Sequence, residues 1–396
     1  VAKQLFRALL TSRNALSYSG NKKSLPFPLS RFDEPPFGLE APMTILDEQY
    51  AEFERLPNDE RIQCFEKDGR LYDMIISQQL NRQILDDLYR ITNQIRSLSK
   101  SKTGSQFVQS LLCHKRAMLY FGQPSSRTFL SFENACHLLG MKTSEIRDPS
   151  VSSEVKGESF DDSLRTFSTY TDLIIMRHKG QNMAERAAWL LNTHTYRPVP
   201  VINGGSGSDQ HPTQALLDVF TLQQSFEYQG GLDGKTILMC GDLKRGRTVR
   251  SLSYLMKNFG GMKIIYAAPA AFQMREDVCG FLERHGISYF IETHGLEKVL
   301  GDADAIYMTR IQDEHDAAPG ESGKTDVSKF RLTLANMAYV KPSAVIMHPF
   351  PRRDEIDVAI DPDPRAMYWR QERNGMWSRA ALIAYMFRVD HEIMSY

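Results

Sequence analysis

The feature that most limits the fold is an alternation. Short apolar runs of strand length recur at 117–121, 143–147, 173–178 and 199–203, with helical patterns at 128–139, 160–170, 181–192 and 212–225. Strands that alternate with helices pair in parallel, because each helix carries the chain back across a face of the sheet. The turn-rich break Gln229-Gly230-Gly231-Leu232-Asp233-Gly234 follows. Beyond it strands are expected at 236–241, 263–267, 288–292, 305–309 and 344–348, and helices at 246–258, 272–285 and 295–300. The chain therefore reads as α/β, with two similar-sized domains, each a parallel sheet flanked by helices. The active site of such a pair belongs in the interdomain cleft, beyond the C-terminal ends of the strands.

The expected segments are an N-terminal extension over 1–74, one domain over 75–228 and a second over 229–377. A last, amphipathic helix, carrying Leu382, Ile383, Met386 and Phe387, is expected over 378–396 and is assigned to the first domain. A helix over Asn81–Ser99 has Ile84, Leu85, Leu88, Ile91, Ile95 and Leu98 on one face. Six prolines between 24 and 60 (Pro26, Pro28, Pro35, Pro36, Pro42 and Pro57) point to an irregular arm there. The polar stretch 313–326 reads as a mobile loop of the kind that closes over substrates.

Charge narrows the function. Lys+Arg 48 balances Asp+Glu 48, so no global basic field draws the chain to nucleic acid or an anionic membrane. No apolar run approaches the ~20 residues that span a bilayer. The five cysteines (Cys64, Cys113, Cys136, Cys240 and Cys279) show no metal-type or disulfide spacing, which fits free thiols in a reducing compartment. Residues 1–32 hold Lys3, Arg7, Arg13, Lys22, Lys23 and Arg31 and no acid. That is the composition of an organelle transit peptide. The preferred reading is a basic extension of a cytoplasmic protein, with organelle import as the alternative.

Polar residues collect where strands end. The stretch Gln123-Pro124-Ser125-Ser126-Arg127-Thr128 lies between a strand and a helix. Free N–H groups and partial positive charge at a helix N-terminus suit a phosphate. A Ser/Thr cap with a surface arginine is the other reading. Lys156, in Ser152-Ser153-Glu154-Val155-Lys156-Gly157, is either a mobile cation or a solvated lysine. Arg177 ends a strand at the cleft. Beyond the glycines at 204–207, His211 and Gln214 share one helix face, and Pro212 suits the first helical turn. His211 is either a neutral imidazole donating to a carbonyl oxygen or a helix cap. Lys244, Arg245 and Arg247 crowd one strand end, and burying three such cations calls for an anion. Arg310 and Gln312 follow another strand, and His348-Pro349-Phe350-Pro351-Arg352 forms a rigid turn with room for a cis bond. The glycine pattern at 204–207 matches a dinucleotide fingerprint poorly. No acid pair, metal cluster or nucleophilic triad is evident in these loops. The inventory suits anion binding and charge stabilisation, with the substrates supplying nucleophile and leaving group.

Seven stretches in order resemble the aspartate carbamoyltransferases, catalytic chain, of the aspartate/ornithine carbamoyltransferase superfamily. They are PSSRTFLSFE, VKGES, MRH, INGGSGSDQHPTQALLD, GDLKRGRTVRSL, YMTRIQ and HPFPRRDEI, and the likeness spans about residues 75–396. The resemblance implies transfer of a carbamoyl group from carbamoyl phosphate to L-aspartate, the committed step of pyrimidine synthesis, without cofactor or metal. By motif position, Ser125, Ser126, Arg127, Thr128 and Arg177 would bind carbamoyl phosphate. Ser152 and Lys156 would reach in from a neighbouring subunit of a homotrimer with shared active sites. Thr128, Arg177 and His211 would polarise the carbonyl, and Gln214 would hold the carbamoyl NH₂. Phe350 and Pro351 would contact the carbamoyl and amino groups through backbone oxygens. Arg247, Arg310 and Gln312, helped by Lys156, would bind the aspartate carboxylates. The first domain would then bind carbamoyl phosphate and the second aspartate, with further regulatory or pathway subunits possible partners.

The chain departs from the family pattern at Gln123, usually acidic, and at Ser126, usually threonine. Phe129 stands in place of a usual arginine, and Phe350 in place of a usual leucine. The rivals are a transcarbamylase for another amino acid such as ornithine, and an inactive assembly paralogue. Arg310-Ile311-Gln312 argues for a dicarboxylate and against the first. The intact cations argue against the second.

Overall fold

The computed structural model describes residues 45–148, 157–207, 210–316, 320 and 322–396. The chain divides into two compact units at Glu66. In the smaller unit, helices α1 (Ile45–Glu54) and α2 (Asn58–Cys64) stand where an irregular arm was expected. The rings of Phe53 and Phe65 meet edge to face at 5.8 Å. Residues 1–44 lie outside the described residues.

In the larger unit, α3 (Arg82–Leu98) and α4 (Lys102–Ser110) lead into the first sheet. The Asn81 side chain caps α3 by accepting from the Ile84 N–H. Leu85, Leu88, Ile91 and Ile95 are buried along one face, each stabilising the fold by roughly 1.5–3 kcal/mol. The sheet holds β1 (Arg116–Phe121), β2 (Lys142–Ile146), β3 (Leu173–Arg177) and β4 (Val201–Asn203), all parallel, in the order β2-β1-β3-β4. Its helices are α5 (Ser126–Leu138), α6 (Phe160–Tyr170), α7 (Met183–Thr193) and α8 (Pro212–Phe226). β4 is shorter than expected because Pro200 has no N–H to give the ladder. Residues just before α3 also join this sheet. Met74 donates to the Val201 carbonyl at 2.9 Å and accepts from Asn203 at 2.8 Å, so the irregular stretch does not run to residue 74.

The second sheet holds β5 (Thr236–Cys240), β6 (Lys263–Ala267), β7 (Ser288–Glu292), β8 (Ala305–Met308) and β9 (Val345–Met347), parallel in the order β9-β8-β5-β6-β7. Helices α9 (Arg247–Leu255) and α10 (Glu276–Arg284) flank it. The helix expected over 295–300 does not form. Leu296, Val299 and Leu300 are buried, but they close only a single turn, and one turn does not repay helix nucleation. The loop expected over 313–326 carries short 3₁₀ turns at Asp313–His315 and Ser322–Lys324, with 317–319 and 321 outside the described residues.

The last helix also differs from expectation. α11 runs Tyr368–Met386, starting ten residues early, and α12 follows at Asp390–Ser395. Arg388, at φ 62°, takes the left-handed turn between them. From Trp377 to Met386 every residue of α11 is buried, so it is not amphipathic there. It packs against α3, α5 and α8, and so lies with the first sheet's helices. Among the described residues no helix is long and apolar enough to cross a membrane.

Both sheets reverse their winding at a defined place. The chain moves from β1 outward to β2 and then returns to the other side as β3. It moves from β5 through β6 to β7 and returns as β8. Crevices open at the C-terminal ends of such switch points. The chain therefore has two crevices, one beyond Phe121 and Arg177 and one beyond Cys240 and Met308.

Candidate active site

A cavity of about 790 Å³ fills these crevices. Its walls include Ser125, Ser126, Arg127, Thr128, Arg177, His211, Gln214, Arg247, Arg310, Gln312, Phe350 and Pro351. Every described residue that the family resemblance assigned to the site is thus brought to one space. Ser152 and Lys156 lie outside the described residues.

The floor is the N-terminus of α5. Ser125 sits at the N-cap with extended backbone and makes no side-chain capping bond, so the helix's own cap does not use its hydroxyl. Thr128, in the first turn, is buried, and its Oγ1 lies 3.5 Å from His211 Nε2. Arg127 lies 3.9 Å from Glu372 of α11. Phe129 does not face the cavity as a polar side chain would. It packs edge to face on Phe121 at 5.4 Å, and the Arg147 guanidinium lies 4.3 Å over its ring.

Arg177 ends β3 and is only 8% exposed. One guanidinium nitrogen donates to the Gly204 carbonyl at 3.4 Å, while its Nε is buried without a partner. Burial brings its pKa down to about 9, and the charges of Arg247, Arg127 and Arg379 push the same way. A guanidinium under that stress gains most from an anion.

His211 is the N-cap residue of α8, yet its side chain makes no capping bond, which removes the cap reading. The ring rests on Gly205, where φ is +95° and a Cβ would lie 2.7 Å from His211 Cδ2. The loop must therefore be glycine for the imidazole to sit where it does. Burial first, then Arg247, Arg177 and Arg379, hold its pKa well below 6.5. At neutral pH it is an uncharged imidazole whose Nε2 faces Thr128 and whose Nδ1 is buried without a partner.

The cations of the second sheet divide in two. Arg245 turns away into a structural cluster, 3.0 Å from Asp242 and 2.7 Å from Asp316. Lys244 is exposed. Of the three crowded cations, only Arg247 lines the cavity, donating to the Gly205 carbonyl at 2.7 Å and to that of Gly207. Arg310 forms a two-pronged pair with Glu314, one arm at 2.7 Å. The Phe350–Pro351 bond is cis. His348 anchors that turn: its Nδ1 accepts from the Phe350 N–H at 2.8 Å, and its Nε2 lies 2.6 Å from Glu355.

Sequence reasoning missed several lining groups, among them Arg147, Glu372, Arg379 and Glu314. Arg379 is 3% exposed, 2.6 Å from Ser131 Oγ and stacked over Phe132 at 4.9 Å. A lone arginine directly before the run Ala380-Ala381-Leu382-Ile383 was the available signal, since a charge buried beside such a run needs a purpose. The acids Glu372 and Glu314 also line the space, where the sequence had shown no acid pair.

Stability should report the neutral imidazole. Below pH 6.5 the unfolded chain protonates this side chain while the folded chain does not, so stability falls as pH falls. Above that pH the group contributes no slope. In urea unfolding between pH 8 and 5.5, wild type should lose up to about 1.4 kcal/mol per unit below 6.5 that His211→Asn does not lose. Parallel profiles for the two proteins would show that His211 titrates normally.

Comparison with known proteins agrees with this geometry. The sequence pattern of the "Aspartate/ornithine carbamoyltransferase, carbamoyl-P binding domain" matches residues 73–224. That of the "Aspartate/ornithine carbamoyltransferase, Asp/Orn binding domain" matches 233–386. The chain is 37% identical over 320 residues to the chloroplastic aspartate carbamoyltransferase of Arabidopsis thaliana, covering 80% of this chain and 78% of that protein. It is 38% identical over 281 residues to the aspartate carbamoyltransferase catalytic subunit of Chromobacterium violaceum, covering 69% and 86%. Among solved structures, Trypanosoma cruzi aspartate transcarbamoylase in complex with N-(phosphonacetyl)-L-aspartic acid superposes with a TM-score of 0.71 at 33% identity, covering 80% of this chain and 95% of that one. The catalytic subunit of M. jannaschii aspartate transcarbamoylase gives 0.69 at 32%, covering 81% and 99%. On sequence, fold and site together, the chain belongs to the aspartate/ornithine carbamoyltransferase family.

Proposed function

We propose that the protein transfers the carbamoyl group of carbamoyl phosphate to L-aspartate, giving N-carbamoyl-L-aspartate and phosphate. The observation that carries this reading is the ring of Arg127, Arg177, Arg247 and Arg379 around one neutral imidazole at a helix N-terminus. Such a ring suits a phosphate dianion beside a carbonyl that becomes an oxyanion. The substrates named for the Trypanosoma cruzi structures, carbamoyl phosphate and aspartate, support it.

The α5 N-terminus, with Ser125, Ser126, Arg127 and Thr128, takes the phosphate together with Arg177. Thr128, Arg177 and His211 face the carbonyl oxygen, and Gln214 faces the carbamoyl NH₂. Arg247, Arg310 and Gln312 take the two carboxylates of aspartate, which sets its amine toward the carbonyl carbon. Attack forms the C–N bond and a tetrahedral oxyanion. Collapse breaks the C–O bond and releases phosphate. Residues 75–228 are the carbamoyl-phosphate domain, joined by the last helix, and 229–377 are the aspartate domain.

The second reading is transfer to another amino acid such as ornithine, since the matched family covers both. Arginines at 247 and 310 favour a dicarboxylate over an ammonium side chain. Carbamoyl transfer measured side by side with aspartate, ornithine and other amino acids should show a preference for aspartate. Arg247→Ala should cost aspartate kcat/KM about 1.5–3 kcal/mol. A preference for ornithine would overturn the assignment.

The assembly proposed is a homotrimer, with Ser152 and Lys156 supplied by a neighbour and with room for regulatory subunits. The name "catalytic subunit" of the bacterial relative fits such an assembly. Lys156→Ala mixed with a His211 variant should regain activity after subunit exchange, and no recovery would argue against shared sites. The compartment proposed is the cytoplasm. The chloroplastic names of plant relatives support an organelle instead, and cell fractionation decides between them.

A further inference from the structure

Asp218 is a fully buried carboxylate behind the cavity wall, and the mechanism above does not use it. Its side chain is 0% exposed, and it stands one helical turn after Gln214 on α8. Oδ1 accepts from Gln214 Nε2 at 3.0 Å and from Gln371 Nε2 at 2.7 Å. Oδ2 accepts from the Tyr307 hydroxyl at 2.7 Å. All three donors are neutral. Burying a carboxylate whose hydrogen-bond donors are all neutral is costly, and here burial pushes its pKa to about 7 against the pull of those three bonds, although the charge of Arg379 is felt there too. A purely structural brace between α8, α11 and β8 would not require an anion.

We propose that Asp218 is a positioning residue that fixes which end of the Gln214 amide faces the substrate. A glutamine amide presents a carbonyl oxygen or an NH₂, and the two are nearly the same shape. Because the NH₂ of Gln214 is bound to Asp218, its carbonyl oxygen is the end left for the cavity that Gln214 lines. That oxygen can only accept, so it selects an acyl phosphate bearing an N–H donor over one bearing a methyl group. The same carboxylate reaches a second wall of the cavity. Gln371, held by Asp218, accepts from the His348 N–H at 2.9 Å through its own carbonyl oxygen, and His348 anchors the Phe350 turn. One carboxyl group thereby sets the polarity of two amides, Gln214 at the cavity wall and Gln371 behind the His348 turn. This inference rests on the carbamoyl-phosphate reading of the site.

The test compares carbamoyl phosphate with acetyl phosphate, in which a methyl group replaces NH₂. Binding of each, and of inorganic phosphate, is measured on wild type, Asp218→Ala and Asp218→Asn, with unfolding curves for all three. Asp218→Ala should weaken carbamoyl phosphate about tenfold or more while changing acetyl phosphate and phosphate by less than about threefold. Asp218→Asn keeps an acceptor oxygen for Gln214 and should restore the wild-type ratio. If Asp218→Ala does not fold, Asp218→Ser, which keeps a hydroxyl in the cluster, is read by the same ratio. Equal weakening of all three ligands would mark Asp218 as a structural brace and overturn the proposal. A wild type that binds no carbamoyl phosphate would instead overturn the reading of the site.

Discussion

The site depends on like charges gathered around one cavity, two of them on arginines that water scarcely reaches. Arg177 and Arg379 are almost wholly buried, and Arg127 and Arg247 face the same cavity. Burial lowers the pKa of Arg177 to about 9, with the charges of Arg247, Arg127 and Arg379 pushing the same way, and burial lowers that of Arg379 to about 10, against the pull of Glu372 and Asp218. Glu372 offsets part of this from α11, close to both Arg127 and Arg379, though burial keeps its own pKa raised. The fold therefore carries a standing electrostatic cost that a dianion at the α5 N-terminus relieves. Affinity for phosphate and activation of an adjacent carbonyl come from that one source.

Burial first, and then the charges of Arg247, Arg177 and Arg379, determine the state of His211. An imidazole so placed stays neutral, and a neutral imidazole donates to a carbonyl oxygen without adding a further charge. The second sheet contributes by a different route. Its strand ends deliver Arg247 and Arg310 to the opposite wall, while Arg245, from the same loop, is spent on Asp242 and Asp316 to hold that loop in shape. Two arginines two residues apart thus do unrelated work, because the helix that starts at Arg247 turns one toward the cavity and leaves the other behind.

Much of this was legible in the sequence, and the reason is topological. Parallel sheets place their strand ends on one side, so Thr128, Arg177, His211, Arg247 and Arg310 could be assigned to a common cleft from the alternation alone. The cis bond at Phe350–Pro351 was foreshadowed by two prolines in four residues. Arg147, just beyond β2, and Glu314, in the turn at Asp313–His315, escaped, and the rest of what escaped lies on α11 and in the interior of α8. Arg379, Glu372 and Asp218 belong to helices whose other residues face a core, and a pattern read for apolar periodicity passes over polar residues that a core encloses. The early start of α11 was missed for the same reason: Tyr368–Gly375 is too polar to look buried. The helix expected at 295–300 failed in the opposite way, since its apolar spacing was right and its length was not.

The central claim is that one cavity takes phosphate at the α5 N-terminus and a dicarboxylate at Arg247 and Arg310. A crystal structure with N-(phosphonacetyl)-L-aspartate, which joins both groups in one molecule, tests this most directly. The account predicts phosphonate oxygens within about 3 Å of the N–H and side-chain donors of Ser125 to Thr128, and both carboxylates on the two arginines. A compound bound with its phosphonate elsewhere, leaving that helix N-terminus empty, would contradict it.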